Sequence, residues 1–194
     1  MKKRILFLLF PIIGSLVGFT QTAHIGVSGG MAISRGSYEP SEGLDRRVFA
    51  GFDGGALLEI GTGSKIMVQP EVNFSIIGVE INDGEKEATI KLRYVTIPVL
   101  VKLSVSKNVN LFAGPQLGFL LSAKRDSSFT NETIDLDGYF KRNDFGLVAG
   151  VEYNFGKHIF LGTRYYYGLH QVAENWNNFE MKNRYISFRL GLKL

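Results

Sequence analysis

Strict alternation of apolar and polar residues at the carboxyl terminus is the feature that most constrains the fold of this chain. Between Tyr185 and Leu194, five apolar side chains occupy every second position, and serine, arginine, glycine and lysine lie between them. A period of two is typical of a β-strand, because successive side chains of a strand point in opposite directions. The segment is therefore predicted to be a strand with one apolar face and one polar face.

The same alternation recurs along most of the chain. Clear or weaker versions of it cover residues 24–34, 47–60, 65–76, 109–123, 144–155 and 158–170. Residues 90–105 allow two interpretations, because Lys91 and Arg93 share the parity of the apolar residues that follow. Either these two cations lie beyond the apolar band, or a bulge near Pro98 shifts the register. Together with the terminal segment, the pattern predicts eight strands.

The connections between these strands alternate in length. The short ones are residues 61–64, 106–108 and 156–157, and the long ones are residues 35–46, 80–89, 126–138 and 172–183. Antiparallel hairpins joined in sequence produce this alternation, with the tight turns at one end and the long loops at the other. The sequence predicts an all-β, up-and-down antiparallel barrel.

The charge on the polar faces distinguishes a soluble ligand-binding barrel from a membrane barrel. A soluble barrel points its apolar face inward, whereas a membrane barrel points it outward to lipid and has a polar lumen. The apolar faces run for about 9–11 residues, which is the length of a tilted spanning strand. The opposite faces carry nine charged residues: Asp53, Glu59, Glu71, Lys102, Asp144, Glu152, Arg164, Arg189 and Lys193. We therefore predict a transmembrane β-barrel with short periplasmic turns and longer extracellular loops.

Two further expectations follow from this architecture. An eight-stranded barrel is just wide enough for side chains to fill it, so the nine lumenal charges are expected to form a structural ion-pair network and not an open pore. Aromatic residues near the strand ends predict interfacial girdles. The girdle residues are Tyr153 and Phe155 at one edge, and Phe145, Tyr165, Tyr167 and Tyr185 at the other.

The amino terminus has the layout of a secretory signal. Lys2, Lys3 and Arg4 precede an apolar stretch, and small residues surround a cleavage point before Gln21. Residues 5–19 are too few for a spanning helix, which needs about 20 residues. We expect residues 1–20 to be a cleaved signal peptide and residues 21–194 to form the barrel, exported to the cell outer membrane.

Three segments show a family resemblance. They are Tyr-Val-Thr-Ile-Pro-Val-Leu-Val-Lys at 94–102, Ala-Gly-Pro-Gln-Leu-Gly at 113–118 and Asp-Phe-Gly-Leu-Val-Ala-Gly-Val-Glu-Tyr at 144–153. With these segments the chain resembles the PorT-like outer-membrane β-barrel family of Bacteroidetes. The resemblance implies an outer-membrane location and an eight-stranded barrel, but no single activity and no catalytic residues. The member that gives the family its name belongs to the type IX protein-secretion machinery, so an accessory role in secretion is one function that the resemblance implies.

The formal charge of +4 does not indicate a nucleic-acid partner. Three of the 22 Lys and Arg residues lie in the predicted signal peptide, which leaves the mature chain nearly neutral against its 18 acids. The chain has no Cys, which excludes disulfides, thiolate metal sites and a cysteine nucleophile.

A predicted cationic collar surrounds the barrel where the strands meet the long loops. Its members are Arg47, Lys91, Arg93, Lys124, Arg125, Lys141, Arg142 and Arg184. Thirteen of the acids fall in the predicted long loops themselves. The collar lies at the expected depth of lipopolysaccharide phosphates, with which Arg and Lys form charge-assisted hydrogen bonds. The alternative is that the collar pairs with loop acids in exposed salt bridges, which contribute little stability.

An enzymatic role is not expected. His24 and His158 fall at the short-turn end, and His170 at the loop end has no serine two residues further on. Residues 82–85 lack the spacing of an EF-hand and are typical of a turn, and no cofactor or metal site is predicted. Three functions remain open: a closed structural barrel that contacts lipopolysaccharide or other envelope proteins, an accessory of a secretion machine, and a lipid-A-modifying enzyme.

Overall fold

The structure is a computed structural model that describes residues 22–34, 37–39, 45–61, 65–82, 87–127, 133–173 and 180–194. Within them are twelve strands: β1 Thr22–Ser34, β2 Ser37–Glu39, β3 Asp45–Arg47, β4 Phe49–Gly61, β5 Ile66–Asn82, β6 Glu87–Ser104, β7 Val109–Ser127, β8 Thr133–Asp135, β9 Asn143–Phe155, β10 Ile159–Gly168, β11 Glu180–Lys182 and β12 Arg184–Lys193. A 3-10 helix covers Asp137–Tyr139. The predicted signal peptide, residues 1–20, lies outside the described residues.

Eight of the strands form a closed antiparallel barrel. Neighbours around the barrel are β1, β4, β5, β6, β7, β9, β10 and β12, and β12 pairs with β1 to close it. Each strand pairs with the next barrel strand in the chain, as in a series of hairpins. The predicted eight-stranded up-and-down barrel is confirmed. In the part of the chain that the structure describes, no helix is both long enough and apolar enough to cross a membrane.

The two ends of the barrel differ. One end, termed the turn end, carries the three short connections together with the start of β1 and the end of β12. At the opposite loop end, β2 pairs with β11, β3 with β5, and β8 with β7. The predicted long loop at residues 80–89 is wrong, because β5 runs to Asn82 and β6 begins at Glu87. Val79 and Ile90, both buried, continue the alternation and hold these strand extensions together.

The side chains follow the predicted alternation. Along β12, Leu190 is 59% exposed on the outer surface, whereas its neighbour Arg189 is 1% exposed inside the barrel. Lys91 and Arg93 lie on the outward face of β6 beyond its apolar band, which is the first of the two interpretations of residues 90–105. Pro98 stays in register with Gln116, and the register shift lies elsewhere, between Arg93 and Tyr94 where β6 pairs with β7.

The interior of the loop end is apolar, which the sequence analysis did not predict. Ile77, Val79, Ile90 and Leu92 point inward from β5 and β6 and are buried. Residues from the connecting segments cover them, and we term this group the apolar cap: Leu136, Phe140, Val172, Ala173 and Met181.

Backbone hydrogen bonds hold the apolar cap in place. The amide of Leu136 donates to the carbonyl of Ala123 at 2.9 Å, and the amide of Val172 donates to the carbonyl of Met181 at 2.8 Å. These bonds pair backbone groups inside the barrel mouth, where an unpaired amide or carbonyl would cost free energy. The interior is therefore polar at the turn end and apolar at the loop end.

Candidate functional site: a filled lumen and a cationic rim

Four charged residues form a compact group in the turn-end half of the lumen. Lys102 Nζ donates to Glu59 Oε2 at 2.7 Å and to both carboxylate oxygens of Glu152 at 2.8 Å. Lys193 Nζ donates to the same two acids, at 2.9 Å and 2.7 Å. We term this group the lower ion cluster. Its two cations balance its two carboxylates, and its members come from four alternate strands of the barrel.

A second group, the middle ion cluster, lies closer to the loop end. Arg164 forms two hydrogen bonds with the carboxylate of Glu71, at 2.9 Å and 3.1 Å. Arg189 Nη1 donates to the same carboxylate at 3.1 Å and lies 3.7 Å from Asp53 Oδ2. Two guanidinium groups thus neutralise two carboxylates, as a buried charge in a low-dielectric interior requires.

Neutral side chains complete both clusters, and the sequence analysis gave them no role. Gln69 accepts a hydrogen bond from Lys102 at 2.9 Å and donates one to Glu71 at 2.6 Å, so it connects the two clusters. Ser75 and Ser187 donate to the two oxygens of Asp53 at 2.7 Å and 2.9 Å. The alternation placed Gln69 and Ser75 on the polar faces, but only the folded barrel shows which charge each one contacts.

Asp144 departs from the predicted ion-pair network. Its carboxylate accepts a hydrogen bond from Asn183 at 2.8 Å, and no cation of the described chain lies within salt-bridge distance of it. The reason is the level of Asp144 in the barrel. It lies next to three buried tyrosines, Tyr94, Tyr166 and Tyr185, which form a layer between the middle ion cluster and the apolar cap. Tyr185 belongs to this layer and stacks on Tyr166 at 5.0 Å.

Tyr185 was predicted to lie in the aromatic girdle at the loop end, and this prediction is wrong. It is buried inside the barrel, where its hydroxyl accepts a hydrogen bond from Gln116 at 3.1 Å. By contrast, Tyr165 and Tyr167 are exposed on the outer surface of β10, and Tyr153 and Phe155 are exposed at the turn end. Phe145 also faces outward, opposite the exposed Leu117 of β7, and is partly exposed. The girdle therefore keeps five of its six predicted residues and loses Tyr185.

The predicted collar is uneven around the rim of the loop end. Lys91 and Arg93 on β6, Lys124 on β7 and Arg184 on β12 point outward from the wall. Among the other members, Arg125, Lys141 and Arg142 are exposed. The side chain of Arg47, in β3, lies outside the described residues.

Two of the outward cations have specific neighbours. The guanidinium of Arg184 lies 4.7 Å from the ring centroid of Tyr167. Lys91 Nζ donates to Asp126 Oδ2 at 2.8 Å, in a bridge whose side chains are 38% and 40% exposed. The hydrogen bonds from Lys91 and Thr133 lower the pKa of Asp126. Asp126 was predicted to lie in a long loop, but it belongs to the extended end of β7.

Each of the three histidines has a specific neighbour in the structure. His24 Nδ1 lies 3.2 Å from an oxygen of Leu194, and His158 Nδ1 lies 2.9 Å from the carbonyl oxygen of Lys193, both at the turn end. His170, at the loop end, packs edge-on against Phe145 with 5.8 Å between ring centroids. Among the described residues, no group of three or more His, Cys, Asp or Glu side chains could hold a metal ion.

Comparison with known proteins identifies the family. Residues 19–174 match the family model of the outer membrane protein beta-barrel domain. The chain belongs to this family. The protein is therefore an outer-membrane β-barrel, and bacterial barrels of this kind place their short turns in the periplasm and their longer loops outside the cell. A comparison with curated protein sequences gave no significant match.

Two solved structures of similar shape support the same fold. One is Ail, the attachment invasion locus protein of Yersinia pestis, in complex with the heparin analogue sucrose octasulfate. Ail is 18% identical in sequence with a TM-score of 0.51, and the match covers 89% of this chain and 99% of Ail. The other is Neisserial surface protein A, which is 11% identical with a TM-score of 0.53 over 90% of this chain and 97% of that protein. At these identities the similarity establishes the fold alone.

Proposed function

We propose that this protein acts through contacts at the outer cell surface, as a closed, non-enzymatic barrel whose cationic rim binds lipopolysaccharide headgroups. The observation that carries the proposal is the difference between the lumenal and rim cations. The cations of the lower and middle ion clusters are buried and neutralised by carboxylates. At the rim, the outward cations Arg93 and Lys124 are partly exposed and form no ion pair with a described residue, and cations in such a position attract the phosphates of anionic lipids.

The filled lumen supports the closed state. Two ion clusters, a layer of tyrosines and the apolar cap occupy successive levels of an interior that eight strands make narrow. Beneath the cap, a cavity lined by Ser34, Leu92 and Met181 measures about 10 Å³, which is room for one water molecule. A solute path through the barrel would require several of these layers to separate, so transport is not the function that the geometry favours.

Neutralisation of the rim tests the lipid contact. A variant with all eight collar cations changed to glutamine is compared with a control in which the turn-end residues Lys65, Lys107 and Lys157 are changed to glutamine. Both are checked for folding by heat-dependent migration on gels, and lipopolysaccharide is quantified after detergent purification. We expect the collar variant to lose most of its bound lipopolysaccharide and the control to retain it, because phosphate contacts require cations at the outer rim. Equal retention in the two variants would refute the lipid contact.

Planar-bilayer recording tests the closed state separately. The wild-type barrel is expected to show no large, stable conductance, because buried ion pairs fill the lumen. Large and stable current steps from the folded protein would overturn the closed-barrel proposal.

A role as an accessory of a type IX-like secretion machine is a second candidate. The segments that resemble the PorT-like barrels of Bacteroidetes, residues 94–102, 113–118 and 144–153, lie on the adjacent wall strands β6, β7 and β9. The resemblance therefore concerns the barrel wall, which supports a shared fold more strongly than a shared partner. Deletion of the gene followed by measurement of secreted cargo tests this role, and unchanged secretion would exclude it.

A further inference from the structure

One side of the barrel wall extends beyond the others. β5, β6 and β7 contain 17, 18 and 19 residues, whereas β10 and β12 contain 10 residues each. All of these strands pair with their neighbours from the turn end onward. The additional residues of β5, β6 and β7 therefore project at the loop end. At about 3.3 Å per residue, eight extra residues lengthen a strand by about 25 Å before tilt. The extended wall is thus the part of the barrel that rises furthest from the lipid-facing band.

The outward face of this wall changes from apolar to cationic at one level. On β6 the apolar series that includes Ile97 and Val95 is followed by Arg93 and Lys91. On β7 the apolar series ends at Leu121, which is 52% exposed, and is followed by Ser122 and Lys124. The register places Arg93 opposite Ser122 and Lys91 opposite Lys124. The change therefore occurs at the same height on both strands, directly above the surface that contacts lipid.

The cations at this level are not neutralised by the wall itself. Lys91 and Lys124 are direct cross-strand neighbours on one face, and two like charges in this arrangement destabilise the strand pair. Asp126 pairs with Lys91, but the side chain of Lys124 makes no hydrogen bond or ion pair with a described residue. Arg93 makes one hydrogen bond, to Ser122 Oγ at 3.4 Å. Asp135 on β8 lies opposite Lys124, and Glu80 on β5 lies diagonal to Lys91, but neither carboxylate forms an ion pair with these cations. Two of the three cations, Arg93 and Lys124, thus have no ion pair with a described residue, and an anion between the two strands would bind the donors that they leave unsatisfied.

We propose that Lys91, Arg93 and Lys124, together with the hydroxyl of Ser122, bind a phosphate group of one phosphorylated glycolipid of the outer leaflet. This inference rests on the proposed function and restricts it, because it replaces a uniform ring with a site on one side of the barrel. The lipid source follows from the position of the site, since its lower edge is continuous with the lipid-facing residues Val95 and Leu121. The acyl chains of a glycolipid would lie along that surface while its phosphate accepts hydrogen bonds from the cations.

Two charge-matched triple variants test whether the site is local. One is K91Q/R93Q/K124Q, and the other is R125Q/K141Q/R142Q, which removes the same charge from other exposed positions of the rim. Binding of diphosphorylated lipid A to each detergent-purified, folded barrel is titrated by native mass spectrometry. We expect the first variant to weaken binding about tenfold or more and the second to change it about twofold or less. The charge-conserving variant K91R/R93K/K124R is expected to stay within about threefold of wild type.

The outcomes separate this inference from the proposed function. Equal losses in both triple variants, or a loss only when all eight collar cations are neutralised, would refute the local site and leave the lipid contact standing. Unchanged binding in the eight-residue variant would refute both. Dephosphorylated lipid A is expected to bind wild type and K91Q/R93Q/K124Q equally, and a remaining difference would show that phosphate is not the recognised group. Competition by inorganic phosphate alone at the affinity of lipid A would exclude the lipid as the source.

Discussion

Replacement of Lys102 by methionine gives a direct measure of the lumenal electrostatics. Lys102 is fully buried, and its ammonium group contacts Glu59, Gln69 and Glu152 at 2.7 to 2.9 Å. Methionine is similar in length but carries no charge, so the change removes these contacts while it keeps most of the packing. The lower ion cluster then holds two carboxylates against the single cation Lys193.

The expected cost follows from the carboxylate that loses its neutralising charge. Removal of one partner from a buried ion pair costs about 3–5 kcal/mol, because the remaining charge stays buried without compensation. Restoration of neutrality by a second change, Glu59 to glutamine, leaves Lys193 paired with Glu152 at 2.7 Å. The double variant K102M/E59Q should therefore recover at least about 2 kcal/mol of the loss, since replacement of a whole buried pair is often nearly neutral.

Unfolding of the barrel in lipid vesicles by denaturant provides the measurement. Lys107, which is exposed in the turn between β6 and β7, is the matched control, and K107M should change the free energy of unfolding by less than about 0.5 kcal/mol. A loss below about 1 kcal/mol for K102M, or a double variant less stable than K102M, would show that the lower ion cluster does not stabilise the lumen as argued.

Two further predictions concern the outer surface. Leu190→Arg places a charge on the lipid-facing side of β12 and should lower the free energy of unfolding by about 2–4 kcal/mol if the position is near the bilayer midplane. The control Leu194→Arg, beyond the end of that strand, should lower it by about 1 kcal/mol or less in the same vesicle unfolding assay. Asp126→Asn releases Lys91 from its bridge and should tighten binding of lipid A about twofold to threefold. Because hydrogen bonding lowers the pKa of Asp126, the wild-type bridge is present at neutral pH and is lost only as the pH falls through that pKa, so wild type and D126N are compared at neutral pH, where the phosphate carries the same charge in both titrations. Weaker binding by D126N would contradict the role of the cations.

The wall of the barrel could be predicted from the sequence because the alternation of a strand is a local property. Ser187, Arg189 and Lys193 face inward as their parity requires, and the exposed leucines between them face outward. The error at Tyr185 is instructive, since this residue shares the parity of Ser187. Its position near a strand end suggested a girdle, but the period of two already placed it inside the barrel.

The contacts within the lumen could not be predicted, because they join residues that are distant in the chain. Arg189 and Glu71 are separated by 118 positions, and nothing in either segment specifies the other as its partner. The stagger of the strands around the barrel sets the level of each side chain, and this stagger depends on all eight pairings. For the same reason, Asp144 looked equivalent to the other lumenal acids in the sequence, although it lies one level beyond their cations.

Two arginines of this barrel differ in the partners that the fold provides for their guanidinium groups. Arg164 has both terminal nitrogens bonded to one carboxylate, at 2.9 Å and 3.1 Å, and it is buried. Arg93 also lies on a barrel strand, but its guanidinium makes a single hydrogen bond, of 3.4 Å, to the hydroxyl of Ser122. A guanidinium presents several donors, and most of those of Arg93 are left for a ligand outside the barrel. Charge alone therefore does not distinguish these two arginines, and the proposed phosphate site rests on the donors of Arg93 that the described part of the chain leaves unsatisfied.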